Sequence, residues 1–408
     1  MTNLPQGWEW KSLGEICFIT DGTHKTPNYI ETGIPFLSVK NISKGFFDLS
    51  DVKYISLEEH NKLIKRAKPE FEDILICRIG TLGKAIKISL EFEFSIFVSL
   101  GLLKPKVKII SDYLVYFLNS YFIEGWINDN KVGGGTHTAK LNLNILEKCP
   151  IALPPLKEQE RIVGILDESF AKIDESIKIL EQDLLNLDEL MQSALQKAFN
   201  PLKDNVKENY KLPQSWEWKS LGEIGEIITG TTPSKNNPNF YGNEYPLFKP
   251  SDLNGDIIIK YASDNLSKLG FDNARNLPKD TILVVCIGAS IGKVGLSGVN
   301  GSCNQQINAI IPNSAFTSKY LFFVCLSNYF QTILKKNASQ TTLPIINKTE
   351  FSKLQIPLPP LKEQEQIAKH LDFVFEKTKA LKELYTKELK DYEELKQSLL
   401  NKAFKGEL

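Results

Sequence analysis

The sequence predicts an α+β chain in which a mixed α/β globular part and a long helix are written twice. Three observations carry this. The segment Leu4 to Ile16 returns as Leu212 to Ile224 with twelve of thirteen residues matched, and Leu153 to Glu160 returns unchanged as Leu358 to Glu365. Short apolar runs rich in Ile and Val end in glycine turns in both halves. Two long stretches carry a seven-residue apolar repeat.

The offsets between copies are 208 and 205, and Lys197-Ala198-Phe199 returns as Lys402-Ala403-Phe404 at 205. A period near 205 is far too long for a solenoid and marks a tandem duplication of a two-part unit. The expected segments are a globular part at 1–152, a long helix at 153–199, a link at 200–211, a second globular part at 212–357 and a second long helix at 358–408.

Within the globular parts, Asp73 to Ile79 and Thr281 to Ile287 are continuous apolar runs that read as buried strands. They run into the turns Gly80-Thr81-Leu82-Gly83-Lys84 and Gly288-Ala289-Ser290-Ile291-Gly292-Lys293. Helical patches follow at 112–122 and 318–336. Trp8, Trp10, Trp216 and Trp218 recur at matched positions, which suits packing at a domain edge rather than base stacking.

The prolines at 154–155 and 359–360 block helix before them and suit its first turn. Leu166, Ile173, Leu180, Leu187 and Ala194 then form one heptad series, and Phe170, Ile177, Leu184, Met191 and Ala198 the other. This is a coiled-coil pattern. The second copy carries a looser stripe of Leu371, Thr378, Leu381, Tyr385, Leu389, Tyr392, Leu395 and Leu399. A helix of forty-odd residues spans ~65 Å. Alone it would expose its stripe, so the two are expected to pack together.

Of the 408 residues, 42% are hydrophobic and 24% charged, which excludes a largely disordered chain. No run of ~18 apolar residues and no secretory leader occurs, so a cytoplasmic location is expected. Basic and acidic residues are 49 each, and only four of the basic ones are Arg. Residues 153–199 hold 5 basic and 10 acidic residues, a poor surface for a polyanion, so nucleic acid would have to bind the globular parts. The six cysteines and four histidines are dispersed, a spacing that suits reduced buried thiols and not a zinc site.

Enzyme chemistry finds no support. Gly83-Lys84 and Gly292-Lys293 lack the phosphate-loop frame, with Ala85 and Val294 where a hydroxyl would bind magnesium. There is no Gly-x-Gly-x-x-Gly after a strand, no Asn-Pro-Pro-aromatic element, no His-Glu-x-x-His and no Gly-x-Ser-x-Gly. No catalytic residue and no metal ligand is assigned.

The paired openings Leu-Pro-x-x-Trp-Glu-Trp, the paired Leu-Pro-Pro-Leu-Lys-Glu-Gln-Glu helix starts and the paired Lys-Ala-Phe endings resemble the specificity subunits of type I restriction–modification systems. The loops Asp21 to Pro27 and Thr229 to Ser234 are similar to loops of that family's target-recognition domains. The resemblance covers both units end to end. It implies a pseudo-twofold architecture in which an antiparallel coiled-coil helix pair separates two recognition domains, each reading one half of a split double-stranded DNA site. It also implies that the helices set the spacer and dock two methyltransferase subunits, which motor-nuclease subunits join. By the same resemblance S-adenosylmethionine belongs to the methyltransferase partner, and ATP and Mg to the motor-nuclease partner. This chain would hold no cofactor. Two other readings are a coiled-coil adaptor without DNA readout and the specificity part of a single-chain methyltransferase or nuclease. Salt-dependent DNA binding by the chain with its partner would exclude the first, and methylation assays on the isolated chain discriminate the second.

Candidate DNA contacts follow from side-chain chemistry. Thr23, His24 and Lys25 place short hydroxyls beside a base, as do Thr231, Thr232, Ser234, Lys235, Asn236 and Asn237. Hydroxyls and Lys suit phosphate, and Asn can pair with adenine edges. Arg78 ends a strand beside a glycine turn and suits guanine or phosphate, with a salt bridge as the alternative. Lys84 and Lys293 follow matched turns. Thr136, His137, Thr138 and Lys140, and Gln340, Thr341 and Thr342, lie in small polar loops ahead of the long helices. Asn304 to Ile310 is an amide-rich strand that the first half lacks.

Overall fold

A computed structural model describes residues 4–134, 139–199, 212–339 and 343–408. The chain divides into two compact units. Unit 1 is Met1–Leu180 with Lys387–Leu408, and unit 2 is Glu181–Thr386.

In unit 1 the strands are β1 (Glu9–Ser12), β2 (Cys17–Asp21), β3 (Ile34–Leu37), β4 (Lys53–Ile55), β5 (Ile74–Cys77), β6 (Ala85–Lys87), β7 (Ser95–Ile96), β8 (Leu100–Pro105) and β9 (Pro150–Leu153). The helices are α1 (Leu13–Ile16), α2 (Leu57–Leu63), α3 (Ser111–Leu118), α4 (Tyr121–Asn130), α5 (Leu143–Leu146) and the start of α6 (Leu156–Ala198). An antiparallel sheet has the order β2-β8-β5-β6, and a second sheet has the order β4-β3-β7 with β3 and β7 parallel. Strand β5 shows why its sequence does not alternate. Ile74 and Ile76 face a core with Tyr113, Leu114 and Phe117, while Leu75 and Cys77 face a second core with Leu37 and Ile96. A strand covered on both faces reads as an unbroken apolar run. Each fully buried Ile or Leu contributes ~1.5–3 kcal/mol.

Unit 2 repeats this plan with β10 (Glu217–Ser220), β11 (Ile227–Thr229), β12 (Tyr241–Phe248), β13 (Ile258–Ile259), β14 (Asn265–Leu266), β15 (Ile282–Val285), β16 (Val294–Ser297), β17 (Ser302–Cys303), β18 (Ile307–Ile310) and β19 (Gln355–Leu358). Its helices are α7 (Leu221–Ile224), α8 (Lys268–Asn273), α9 (Ser318–Leu326), α10 (Asn328–Lys336), α11 (Lys348–Ser352) and the start of α12 (Leu361–Ala403). The sheets run β11-β18-β15-β16-β13 and β14-β12-β17, so β13 is an addition at one edge.

The repeated motifs have structural causes. Strand β1 pairs with β9 and β10 with β19, so the Trp-Glu-Trp opening lies against the strand that leads into each Leu-Pro-Pro-Leu. Trp10 packs on Phe122 at 5.5 Å, Trp218 packs on Tyr329 at 5.7 Å, and Trp216 donates its Nε1 to Glu363 at 2.9 Å. The motif glutamine is an interior splint. Gln159 Oε1 accepts the Ile110 N–H that begins α3, and its Nε2 donates to Pro154 O, both at 2.9 Å. Gln364 does the same with Thr317 N–H and Pro359 O at 2.9 and 2.8 Å. The N–H groups at a helix start have no partner within the helix, so a buried start needs such an acceptor.

The helical patches differ from the sequence expectation in one respect. Each is two helices, broken at Ser120 and Ser327. Ser120 and Ser327 donate their hydroxyls to Phe117 O and Val324 O at 2.7 and 2.6 Å, and Ser327 Oγ also accepts the Phe330 N–H. A serine that bonds the backbone this way ends one helix and starts the next.

Within unit 1 the first part of α6 and the last part of α12 run antiparallel. Ile162 and Leu166 share a core with Leu400 and Ala403, Asp174 pairs with Lys396, and Arg161 Nη2 donates to Leu408 O at 3.0 Å. Within unit 2 the pairing repeats, with Leu195 and Phe199 in one core with Ala368 and Leu371. The Lys-Ala-Phe endings are thereby explained. Phe404 stacks edge-on against Phe117 at 4.8 Å in unit 1, and Phe199 against Tyr320 at 5.9 Å in unit 2.

On α6, Leu166, Ile173, Leu180 and Leu187 are buried, and Phe170, Ile177 and Leu184 are half-buried. On α12, Leu371 and Thr378 are buried, and Tyr385, Leu389, Tyr392 and Leu399 are half-buried. Leu381 and Leu395 are corrections, being 38% and 45% exposed. The stripe runs instead through Phe375, Lys382, Leu389 and Lys396. Lys382 and Lys396 hold two places of the stripe, each one position after the leucine that the apolar pattern alone selects. Among the described residues no helix is long and apolar enough to cross a membrane.

Candidate nucleic-acid interface

In each unit three segments are laced side by side by backbone hydrogen bonds. In unit 1, Gly22 N–H donates to Leu100 O, Thr23 N–H to Ile96 O at 3.1 Å and Val98 N–H to Thr23 O at 3.0 Å. Arg78 N–H then donates to Ser99 O at 3.0 Å, and Leu141 N–H to Arg78 O at 2.8 Å. Unit 2 repeats the lacing. Gly230 N–H donates to Ile307 O at 3.1 Å, Cys286 N–H to Gln306 O at 2.8 Å and Ile346 N–H to Cys286 O at 3.0 Å. The loops at 22–27 and 230–237, the crossings at 97–99 and 304–306, and the glycine turns thus share one surface in each unit.

Glycine makes this possible. A Cβ on Gly22 would lie 2.0 Å from Ile96 O, and one on Gly230 would lie 2.2 Å from the carbonyls of Cys303 and Asn304. The turn glycines Gly80, Gly83, Gly288 and Gly292 have positive φ of 85°, 84°, 93° and 94°, a conformation that L side chains resist.

On this common frame the side chains differ. In unit 1 the buried carboxylate of Asp21, 1% exposed, gathers three partners. Arg78 donates Nη1 to Oδ2, Arg66 donates Nη2 to Oδ1, and His24 Nε2 lies 2.9 Å from Oδ2. Arg78 is itself buried and also donates Nε to Leu141 O at 3.1 Å. Burial pulls its pKa below the ordinary guanidinium value, while Asp21 pushes the other way. With Nε and Nη1 engaged and the residue only 6% exposed, Arg78 takes the salt-bridge alternative in place of a base or phosphate contact.

Thr23 Oγ1 donates to Lys25 O at 3.0 Å and accepts the Lys25 N–H at 3.2 Å, which leaves Lys25 and His24 exposed at the loop. Lys84 is half-buried beside Gly45. Lys140 is exposed, and its backbone bridges to both Ile79 and Val132.

In unit 2 Thr229 stands where unit 1 has Asp21, and Cys286 where it has Arg78. Thr229 Oγ1 donates to the buried Asn308 Oδ1 at 2.7 Å. Burial pushes the Cys286 thiol up to about 12, so it is protonated at neutral pH and no nucleophile. Thr232 Oγ1 donates to Gln305 Oε1 at 2.9 Å, and Thr231 Oγ1 accepts the Arg275 N–H at 3.2 Å. Asn237 is half-buried and caps the turn that follows, its Oδ1 accepting the Asn239 N–H at 3.2 Å. Ser234, Lys235 and Asn236 are exposed, and so is Lys293. In the amide-rich segment Asn304 and Asn308 are buried and only Gln305 is exposed. Thr136, His137, Thr138, Gln340, Thr341 and Thr342 lie outside the described residues.

Sequence reasoning missed Asp21, Arg66, Arg275 and Gln305. The scarcity of Arg, four in the chain, was the available signal for two of them.

The sequence matches the type I restriction modification DNA specificity domain twice, over residues 5–184 and 213–391. It is 26% identical over 428 residues to the type I restriction enzyme StySPI specificity subunit of Salmonella potsdam, covering 99% of this chain and 90% of that one. Among solved structures it is similar to a chain from work on complex assembly and conformational transition of the type I R-M system, with a TM-score of 0.81 at 22% identity, covering all of both chains. It is also similar to the HsdS subunit from Thermoanaerobacter tengcongensis, with a TM-score of 0.58 at 22% identity, covering 100% of this chain and 99% of that one. With two tandem copies of the domain on two units of one topology, the chain belongs to the family of type I restriction–modification DNA specificity subunits.

Proposed function

We propose that each unit reads one half of a bipartite double-stranded DNA site through the laced surface of its loop, crossing and glycine turn. The observation that carries this is a shared backbone frame with unlike side chains. Asp21, Arg78 and Lys140 of unit 1 stand at the places of Thr229, Cys286 and Ile345 of unit 2. Matched frames with divergent faces suit two different half-sites on a duplex whose backbone has twofold symmetry.

In this reading Thr23, His24, Lys25, Lys84, Lys140, Thr231, Thr232, Ser234, Lys235, Asn236 and Lys293 face DNA, while Arg78 and Asn237 position the loops. The chain itself performs no catalysis. The two long helices fix the spacer between half-sites and dock two methyltransferase subunits, and motor-nuclease subunits join that core. S-adenosylmethionine, ATP and Mg serve those partners.

Exchange of residues 212–357 for the equivalent domain of another specificity subunit tests the reading. One half of the methylated motif changes and the other is retained. A change in both halves overturns independent reading.

A further inference from the structure

Arg66 and Arg275 occupy one place in the two units. Arg66 follows α2, the helix after edge strand β4 of the three-stranded sheet, and Arg275 follows α8, the helix after edge strand β14. Each guanidinium reaches the last residue before the loop glycine. Arg66 donates Nε to Asp21 O at 3.2 Å and Nη2 to the Asp21 carboxylate, and Arg275 donates Nη1 to Thr229 O at 2.5 Å. Both residues are exposed, the Arg66 side chain by 55%. Each sits beside the candidate loop. Arg66 shares Asp21 with His24, and the Arg275 N–H donates to Thr231 Oγ1.

We propose that Arg66 and Arg275 are direct base readers, each laying the free edge of its guanidinium on a guanine in the half-site its unit meets. The assignment rests on the reading of each unit as a half-site reader. With Nε and Nη2 engaged, Arg66 presents the edge made by Nη1 and the outer Nη2 hydrogens. With Nη1 engaged, Arg275 presents the edge made by Nε and Nη2. Either edge carries two parallel N–H donors. In the major groove guanine alone offers two adjacent acceptors, N7 and O6, on one base.

Composition favours a forked contact over a point charge. Charge alone is supplied by the 45 lysines, whereas a planar two-donor edge is what only Arg provides, and the substitution test separates a guanine from a phosphate. An arginine at this place in both units of so Arg-poor a chain points to the fork. The anchors also differ. Asp21 and its carbonyl hold Arg66 by two bonds, while Thr229 holds Arg275 by one, so Arg66 is the more rigid reader.

The test uses the full chain assembled with its methyltransferase subunits and duplexes carrying each single base-pair change in both half-sites. Arg66→Lys keeps charge and removes the fork. The proposal expects discrimination at one G·C pair of one half-site to fall about 10- to 100-fold, with the other half-site untouched, and Arg275→Lys to do the same in the other half. Arg66→Ala and Arg275→Ala relax the same pairs. Uniformly slower methylation of every duplex makes these phosphate contacts and overturns the assignment, as does an unchanged profile. A wild-type complex without two separable half-sites overturns the half-site reading and this assignment with it. A normal wild type beside uniform losses overturns the assignment alone.

Discussion

Asp174 on α6 and Lys396 on α12 form an ion pair at 2.5 Å, and Lys396 stands in the stripe where an apolar residue is expected. Asp188 and Lys382 form the corresponding pair in unit 2. In both pairs the residue numbers add to 570, so one antiparallel register holds for each. A lysine in a helix–helix stripe lowers stability and selects register. Its four-carbon stem can still cover apolar surface while the ammonium reaches water.

The first prediction concerns this pair. Asp174 is mostly exposed, so its attraction to Lys396 is worth ~0.2–1 kcal/mol. Lys396→Met, matching Met191 on α6, should leave thermal stability unchanged or raise it. Asp174→Lys should lower it by about 1 kcal/mol, and the exchange of both charges should restore most of that. Thermal melts of the wild type, Asp174→Lys, Lys396→Asp and the double exchange give the coupling directly. Additive losses would mean that the pair carries no register information.

The second prediction concerns the loop glycines. Gly22 and Gly230 lack positive φ, so their requirement is space and not conformation. Gly22→Ala drives a methyl against Ile96 O, and the loop must lift off the crossing at 97–99. The expected cost is ~1–3 kcal/mol, with selectivity disturbed in one half-site only. Gly230→Ala should disturb the other. Melting curves together with methylation of half-site variants check both effects.

How much of this was legible follows from how far apart the interacting residues are. The doubled strands, turns and helices were legible because each is local, a run or a period within one segment. The stripe on α6 was legible for the same reason. On α12 the lysines at 382 and 396 hid it, because a charge in a stripe is explained only by a partner on another helix. The Asp21 cluster was not legible. Its members Arg66 and Arg78 lie 45 and 57 residues away, and no local pattern joins them. From the sequence Arg78 suits either DNA or a salt bridge, and its burial against Asp21 decides for the salt bridge. The inward setting of Asn308 is not local either, its Oδ1 accepting the Thr229 hydroxyl from another strand.

The third prediction concerns the motif glutamines. Gln159 is 1% exposed and bonds both Ile110 N–H and Pro154 O. Gln159→Ala leaves both without a partner and should cost about 1–3 kcal/mol. Gln159→Glu keeps the volume but turns a donor into an acceptor beside a carbonyl. Burial would hold that carboxyl above its unfolded pKa, so its neutral form is favoured in the folded chain. The stability of the Glu variant should therefore be nearest wild type below the unfolded value, and fall as pH rises through the folded one. Melts at pH 5 and pH 8 test the sign, and a variant more stable at the higher pH would contradict the buried environment.

The last prediction concerns the spacer. If the long helices set it, their length should be readable in the methylated motif. The shared register supplies the cut. Between the two ion pairs each helix holds an equal stretch, 175–187 on α6 and 383–395 on α12. Removing 180–186 from one and 384–390 from the other takes a whole heptad from each, so the stripe stays in phase and both ion pairs can still form. Seven residues at 1.5 Å shorten a helix by ~10 Å. Along duplex DNA, at ~3.4 Å per base pair, that is about three base pairs. Sequencing of methylated sites should show unchanged half-sites with a spacer about three base pairs shorter. The alternative outcome allowed by the proposal is loss of methylation with assembly intact, because three base pairs also turn the second half-site by roughly 100° around the duplex, at 10–10.5 base pairs per turn. A shortened protein that assembles with its methyltransferase subunits and still modifies the original motif at its original spacing would remove the helices from any role in measuring DNA.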